Sequence, residues 1–511
     1  MAARGAVVLV DVLICSLPSG VINRPPAAPA ILKACVEQAG FTARTEDLAL
    51  NFYINQCNRD FDLYYEQTKV FEPYTTFVSN SKVSQWLEDS CSIVNQYQPK
   101  FVALSVFSTF QHRACVLLCR KLRKLHPNIK IVLGGYGLPE SVSISFAGFL
   151  STEFAKFDQY MQLYKLADHY VYGEGEQTIV DILNDQVISH DDVVDLNTVP
   201  VSNFDDYQLS DYIWHNIPVL TVTGSKGCVR NCTFCNVPRK FGRFRRKSGK
   251  NIAHELIALS QRYGITKFEF TDSLVNGSQK DFNEWVELLA DYNDQQPSDK
   301  RITWYGQYIC RPQSQIPKDI YQKIKRSGAT NLIIGAESGS DAVLAAMKKN
   351  ITTQDVFDEL DQFEQHSLQA QLLMLSGFYN ETWDRYLETL NFIVRCHRYL
   401  ASGAISKIAV GMPLLIEPNG YLHQHAEELG IVIDPDNISN WKTIDDPDNN
   451  WLERLRRRLI TQAVLDSMGA SMTGNGIEEL QLLLNQIKLY EKQLISPDSI
   501  NDIRSVELSV H

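Results

Sequence analysis

Cys228, Cys232 and Cys235 stand in the spacing C-x3-C-x2-C, with Phe234 directly before the last. Cysteine thiolates are soft ligands for zinc and iron, and a closed structural site takes four protein ligands. Three cysteines with no fourth Cys or His nearby leave one coordination position open. On an iron–sulfur cluster an open iron is a place for a ligand to react. The competing reading is a zinc site completed by a distant residue. Other residues have chemistry to offer. Cys310 lies just past a strand, where a thiol could quench or relay a radical; its plainer reading is a small buried hydrophobe. Tyr305, Tyr308 and Glu269 read as pocket-facing groups. Arg239, Lys240, Arg243, Arg245, Arg246, Lys247 and Lys250 form a run that reads as a solvated face, or as a steering patch for an anion. Arg454, Arg456, Arg457 and Arg458 form a second run that reads as a surface helix.

These groups need a scaffold, and the elements around them are strands alternating with helices. In the N-terminal third, residues 6–14, 42–50, 101–108 and 130–135 read as strands, and 30–39 and 112–125 as helices. The alternation implies a doubly wound parallel sheet, which binds ligands at the carboxyl ends of its strands. Gly134 and Gly135 stand at such an end and let a backbone approach a cofactor, or simply make a tight turn. Residues 51–98 are aromatic-rich and read as an inserted helical segment. Further on, 219–223, 268–270, 301–308, 331–335, 371–375 and 405–410 read as six strands separated by helices, including those at 251–262 and 354–366. Six such units suggest a partial (βα)6 TIM-type barrel, whose chemistry belongs at the carboxyl ends of the strands. The cysteine loop follows the first of them. The expected fold is therefore α/β: a Rossmann-like sheet at 1–185, a linker at 186–217, a barrel at 218–432, and a helical cap at 433–511. Within the cap, 433–450 reads as loop, and 451–468 and 476–494 as helices.

Composition bounds the rest. The chain has 511 residues, enough for two or three domains, and is 44% hydrophobic and 21% charged. A net charge of −11 argues against a general nucleic-acid coat. Eleven scattered cysteines do not form a disulfide framework and fit the reducing cytoplasm. Asp11 interrupts the apolar run near the N-terminus, which reads as a buried strand and not as a signal peptide. No run reaches the roughly 18–20 apolar residues that span a bilayer.

The cysteine spacing with its aromatic resembles the radical S-adenosylmethionine (SAM) superfamily signature, C-x3-C-x-(aromatic)-C. That resemblance implies a [4Fe–4S] cluster on Cys228, Cys232 and Cys235. Its open iron chelates the amino and carboxylate groups of SAM, and reductive cleavage yields a 5′-deoxyadenosyl radical. Gly335-Ala336-Glu337-Ser338 resembles the family's fourth-strand motif, and the stretch from Ser376-Gly377 to Glu381-Thr382 its fifth-strand element, with Phe378-Tyr379-Asn380 replacing the usual small residues. Asp272 stands where the family carries Gly-Gly-Glu. The resemblance thus assigns Phe234, Asp272, Glu337, Ser338 and Glu381 to SAM; Tyr308 and Cys310, read from their own positions at a strand end, stand as the candidate catalytic residues.

Ahead of the barrel, Asp168 to Gly173-Glu174-Gly175-Glu176 resembles the closing strand and helix of the cobalamin-binding domain of one large radical SAM subgroup. This implies a cofactor near Gly134, Gly135 and Glu174. Asp47-Leu48-Ala49-Leu50-Asn51-Phe52 replaces the D-x-H-x-x-G that supplies a cobalt ligand in many such domains. With cobalamin, the implied activity is methyl transfer to an unactivated carbon. Without it, the implied activity is a radical cyclisation or rearrangement, and a third reading is a non-catalytic iron–sulfur or cobalamin sensor. The expected partners are a small-molecule or peptide substrate and a reductant such as flavodoxin or ferredoxin, with no membrane.

Overall fold

The structure, a computed structural model, describes residues 9–71, 80–138, 165–188, 193–212, 218–417, 420–434 and 437–469. The chain divides into two compact units, residues 1–225 with 245–271 and residues 226–244 with 272–511.

The first unit contains a parallel sheet of β1 (Val12–Ser16), β2 (Ala43–Asp47), β3 (Phe101–Ser105), β4 (Lys130–Gly134) and β5 (His169–Val171) in the order β2-β1-β3-β4-β5. Central β1 is buried along its whole length, as expected for a strand covered on both faces. Val12 and Ile14 join Ala103, Val132 and Val171, and the helices Ala27–Gln38 and Gly175–Leu183 add Val36, Ile179 and Ile182. Three strand boundaries differ clearly from expectation, the strand expected at 101–108 ending at Ser105. The first strand starts at Val12, because Asp11 turns its carboxylate to Thr42 and Lys100. The second stops at Asp47, whose carboxylate accepts from the N–H groups of Ala49 and Leu50 and so starts the helix Leu48–Cys57. The helices Phe61–Thr68 and Ser81–Tyr97 follow, matching the expected helical insertion. The same unit holds β6 (Leu220–Val222) paired in parallel with β7 (Lys267–Phe270), joined through the helix Gly249–Tyr263.

In the second unit β8 (Thr303–Tyr308), β9 (Ala329–Glu337), β10 (Ala370–Ser376) and β11 (Ile405–Pro413) run parallel in that order, with helices between them. These are the third to sixth strands of the expected barrel. A register shift between Gly335 and Glu337 breaks the β9 ladder at its carboxyl end. Residues 433–450, expected as loop, contain part of a hairpin. There β12 (Ile431–Asp434) pairs antiparallel with β13 (Asn437–Thr443), and the Trp441 indole N–H donates to Leu414 O at 2.8 Å. The apolar alternation there is short and set among Asp, Asn and Pro, so its strand signal is weak. The helix expected at 451–468 is present as Trp451–Ser467, capped by Asn450. The helix expected at 476–494 lies outside the described residues. Among the described residues no helix is long and apolar enough to cross a membrane.

Candidate active site

The three cysteines sit on a loop with fixed anchors. The Thr233 N–H donates to Met347 O at 3.0 Å and its hydroxyl to Ala346 O at 3.2 Å, tying the loop beneath the helix Asp341–Ala346. Gly227 has φ +82°, and a Cβ there would stand 3.1 Å from the carbonyl oxygens of Gly242 and Arg243, so the turn into the loop requires glycine. Cys232 is buried; Cys228 and Cys235 are half-buried. Burial pushes the Cys232 thiol up to about 11 and raises Cys228 and Cys235 as well. The ammonium of Lys349 opposes that rise at all three. Among the described residues no three His, Cys, Asp or Glu side chains converge as on one metal ion. An iron–sulfur cubane spreads its cysteines over separate irons, so three thiols on one anchored loop beside a half-buried cation suit it.

Lys349 is the residue that sequence reading missed. It follows the helix Asp341–Ala346, and its Nζ lies 2.8 Å from Glu337 Oε1 and 5.9 Å from the Phe234 ring centre. Glu337 takes a left-handed backbone, φ +64°, at the end of β9. The pair lies over Gly335: a Cβ there would meet Glu337 Oε1 at 2.3 Å and Lys349 Nζ at 2.8 Å. The glycine of the Gly-Ala-Glu-Ser motif is thus explained by the ion pair. The only sequence signal for Lys349 is a lysine doublet on a chain with many charges. Lys349 brings Glu337 and Phe234 of the cysteine loop together. Ser338 lies next to them, but its hydroxyl is 3.1 Å from that of Thr389 and accepts from Ser340 N–H, so it holds the turn. Asp272 is buried.

Glu381 is placed differently. Its carboxylate accepts from Gly377 N–H at 3.0 Å and pairs with Arg457 at 3.4 Å. Burial raises it to about 7 against the pull of Arg457. The expectation of a surface arginine run fails here, because Arg454 and Arg457 are 0% and 2% exposed. Arg457 donates to Glu381 O at 2.6 Å. Arg454 donates to Asn449 O and Trp441 O and stacks 3.7 Å from the centre of the Trp441 ring. The helix turns these two guanidiniums inward because Glu381 and free carbonyls await them.

Tyr308 is corrected by strand parity. In β8 the buried set is Trp304, Gly306 and Tyr308, and Trp304 packs on Phe282 and Trp285 of the helix Gln279–Asp294. Tyr308 lies on that side too, 6.1 Å from Phe282, and its hydroxyl donates to Glu359 Oε1 at 2.9 Å. The Tyr321 hydroxyl donates to the other oxygen of the same carboxylate at 3.1 Å. Tyr308 therefore faces the helix layer. Cys310 is 1% exposed, and burial raises its thiol well above the usual range.

In the first unit a Cβ on Gly135, at φ +112°, would stand 2.5 Å from Val106 O, so this glycine serves a close backbone approach; Gly134 meets only an ordinary contact. Glu174 turns to Arg245 and accepts from Val194 N–H at 3.1 Å. Lys247 is buried with Glu255. Arg245 and Lys247 thus leave the solvated run expected at 239–250. The switch point of this sheet lies between β1 and β3, where doubly wound sheets bind ligands. The loops that follow those strands expose Val21 at 53% and Phe107 at 66%, the latter edge-on to Tyr136. Ala49 occupies the position of the absent imidazole, and Asp47 accepts from Ser16 and Tyr212 hydroxyls. Exposed apolar side chains after the strands of a switch point suit a flat macrocycle, with no imidazole for its metal from position 49.

Residues 222–393 match the family described as the Radical SAM superfamily. A methyltransferase of Pyrococcus horikoshii, itself uncharacterized, is 23% identical over 331 residues, covering 60% of this chain and 66% of the relative. The chain spans less than two thirds of the curated relatives it matches, falling to 40% for a tRNA-2-methylthio-N(6)-dimethylallyladenosine synthase of Fervidobacterium nodosum. The solved structure of OxsB, a cobalamin-dependent SAM radical enzyme with aqua-cobalamin bound, superposes with a TM-score of 0.61 at 15% identity, covering 98% of this chain and 75% of that one. The methyltransferase TsrM from Kitasatospora setae, with cobalamin and a [4Fe–4S] cluster bound, gives 0.56 at 15%, covering 82% and 80%. At such identities the likeness is one of fold. With its anchored three-cysteine loop inside the matched segment, residues 222–393 form a radical SAM domain, of the family whose members use a [4Fe–4S] cluster and S-adenosylmethionine.

Proposed function

We propose that the chain is a cobalamin-dependent radical SAM methyltransferase acting on an unactivated carbon. The observation that carries this reading is a 2-1-3-4-5 sheet, with Val21 and Phe107 exposed after the strands of its switch point, placed ahead of the three-cysteine loop in one chain. Cys228, Cys232 and Cys235 would hold the cluster and leave one iron for SAM. When bound, the cluster supplies the electron that cleaves SAM, and cobalamin supplies the methyl group. The protein's own residues do the rest. Thr233 fixes the loop, Lys349 offsets the thiolate charge, and Glu337 holds Lys349 in place. A small molecule or peptide would be the substrate, and a flavodoxin or ferredoxin the electron donor, in a reducing cytoplasm.

A second reading, radical chemistry without methyl transfer, is favoured by Ala49 at the position of the missing cobalt ligand. One experiment separates the two: anaerobic purification with added cobalamin, then turnover with methyl-labelled SAM. Retained cobalamin with both 5′-deoxyadenosine and S-adenosylhomocysteine supports the methyltransferase. Formation of 5′-deoxyadenosine alone supports the second reading. Neither product would remove both.

A further inference from the structure

The helix Trp383–Arg395 of the second unit follows β10 and buries Tyr386, Thr389, Phe392 and Ile393. One buried stripe is what a helix laid on a sheet requires. This helix carries a second apolar stripe, Trp383, Leu387, Leu390 and Val394, about a third of a turn round from the first. Trp383, Leu387 and Val394 are 47%, 44% and 53% exposed, and Leu390 is half-buried. The steps between them are four, three and four residues. That alternation is the seam of a coiled coil, the pattern by which one helix offers its side chains to another. Exposed apolar residues are ordinary singly; a row at seam spacing on one helix marks an interaction surface. The polar positions flanking the row change sign along it. Asp384 and Glu388 stand toward the N-terminus and Arg395 at the C-terminus, and among the described residues none of the three has an ion-pair partner. The Arg395 guanidinium lies 4.0 Å from the centre of the Phe357 ring, a stacking that leaves its N–H edge for a carboxylate. The hollow beside Trp383 adds Asp446, Asp448 and Arg456, so that end stays acidic.

This surface is complementary to itself. A four-three-four spacing reads the same in both directions, so an antiparallel copy meets it in register: Trp383 against Val394 of the second copy, and Leu387 against Leu390. The same turn brings Asp384 opposite Asn391 and Arg395 of the second copy, so the acidic end meets the basic one. A parallel pairing would set Asp384 against Asp384. We propose that the stripe is a contact between two copies of this chain, paired antiparallel through the helix Trp383–Arg395 about a two-fold axis. A seam built on one helix of 13 residues is smaller than the roughly 1,200–2,000 Å² that stable dimers bury. The dimer is therefore reversible, with a Kd on the order of 10–100 μM. The inference stands apart from the proposed function and holds for any chemistry at the cysteine loop.

The test is sedimentation velocity on the full chain, reconstituted anaerobically, from about 1 to about 300 μM. The weight-average sedimentation coefficient of the wild type should climb toward that of a dimer as concentration rises. Leu387→Asp puts two like charges into the seam and should hold the chain monomeric throughout, with a thermal midpoint within about 2 °C of the wild type. Asp384→Arg and Arg395→Asp should each weaken the dimer by about three- to tenfold, and the two together should restore it to within about twofold of the wild type. This exchange of charges depends on pairing and not on the fold of any one variant. A dimer that Leu387→Asp leaves intact would overturn the contact, and a double variant no tighter than the single ones would overturn the antiparallel pairing. A wild type that stays monomeric at every concentration would also overturn it. In that case a midpoint lowered by Leu387→Asp would assign the stripe to residues 470–511 of its own chain, and an unchanged midpoint would assign it to a different protein.

Discussion

Lys349 is a half-buried cation whose ammonium reaches Glu337 and the charge of three thiols. Its removal leaves the thiolates without a positive charge that acts on all three. Lys349→Ala is therefore expected to lower iron content after reconstitution and to cut 5′-deoxyadenosine formation by about 10- to 100-fold, the usual cost of losing a supporting partner of a metal site. Glu359 carries a separate prediction. Burial raises its carboxyl from 4.5 to about 7, with the hydroxyls of Tyr308 and Tyr321 opposing. The folded state therefore binds more protons than the unfolded chain between those values. Stability falls as pH rises through that window and levels off above it. Glu359→Gln keeps the shape and removes the titration. Thermal unfolding should show it gaining on the wild type by roughly 1–3 kcal/mol between pH 5 and pH 8. An unchanged difference across that range would show that Glu359 ionises normally.

Among the elements, the helix Trp451–Ser467 departs most from its sequence pattern. A run of arginines reads as a water-facing surface, yet Arg454 and Arg457 point inward. Their partners lie far away in sequence: Glu381 is 76 residues from Arg457. No local period reveals such a pairing. Arg457→Ala should leave Glu381 as an unpaired buried acid and cost about 3–5 kcal/mol, seen as a lower unfolding midpoint. Adding Glu381→Gln should recover part of that loss; no recovery would mean that Arg457 acts through packing alone. The same helix explains Gly377, where φ is +76° and a Cβ would stand 2.1 Å from Arg454 Cδ. Strand parity likewise decides Tyr308: with Trp304 turned to the helices, every second residue of β8 follows it.

At the scale of the whole chain, both sheets follow from alternating apolar strands and amphipathic helices. The two units carry separate tasks under the proposed function. Cys232→Ala should abolish 5′-deoxyadenosine formation while leaving cobalamin retention through gel filtration unchanged. Phe107→Asp, at the exposed rim of the first sheet, should do the reverse and release cobalamin, with iron content unchanged. Loss of both properties in either variant would mean that the tasks are coupled. None of the eleven cysteines stands in a disulfide, so neither unit relies on one.

Sequence by itself determined the short-range features. The cysteine spacing, the strand–helix alternation and the glycines at strand ends are set by coordination chemistry and backbone sterics acting over a few residues. Tertiary structure alone decided which charges are buried and with whom. Lys349 meets Glu337, and Arg457 meets Glu381. The physical reason is that the cost of burying a charge depends on what lies across space from it, and those neighbours arrive from strands and helices distant along the chain.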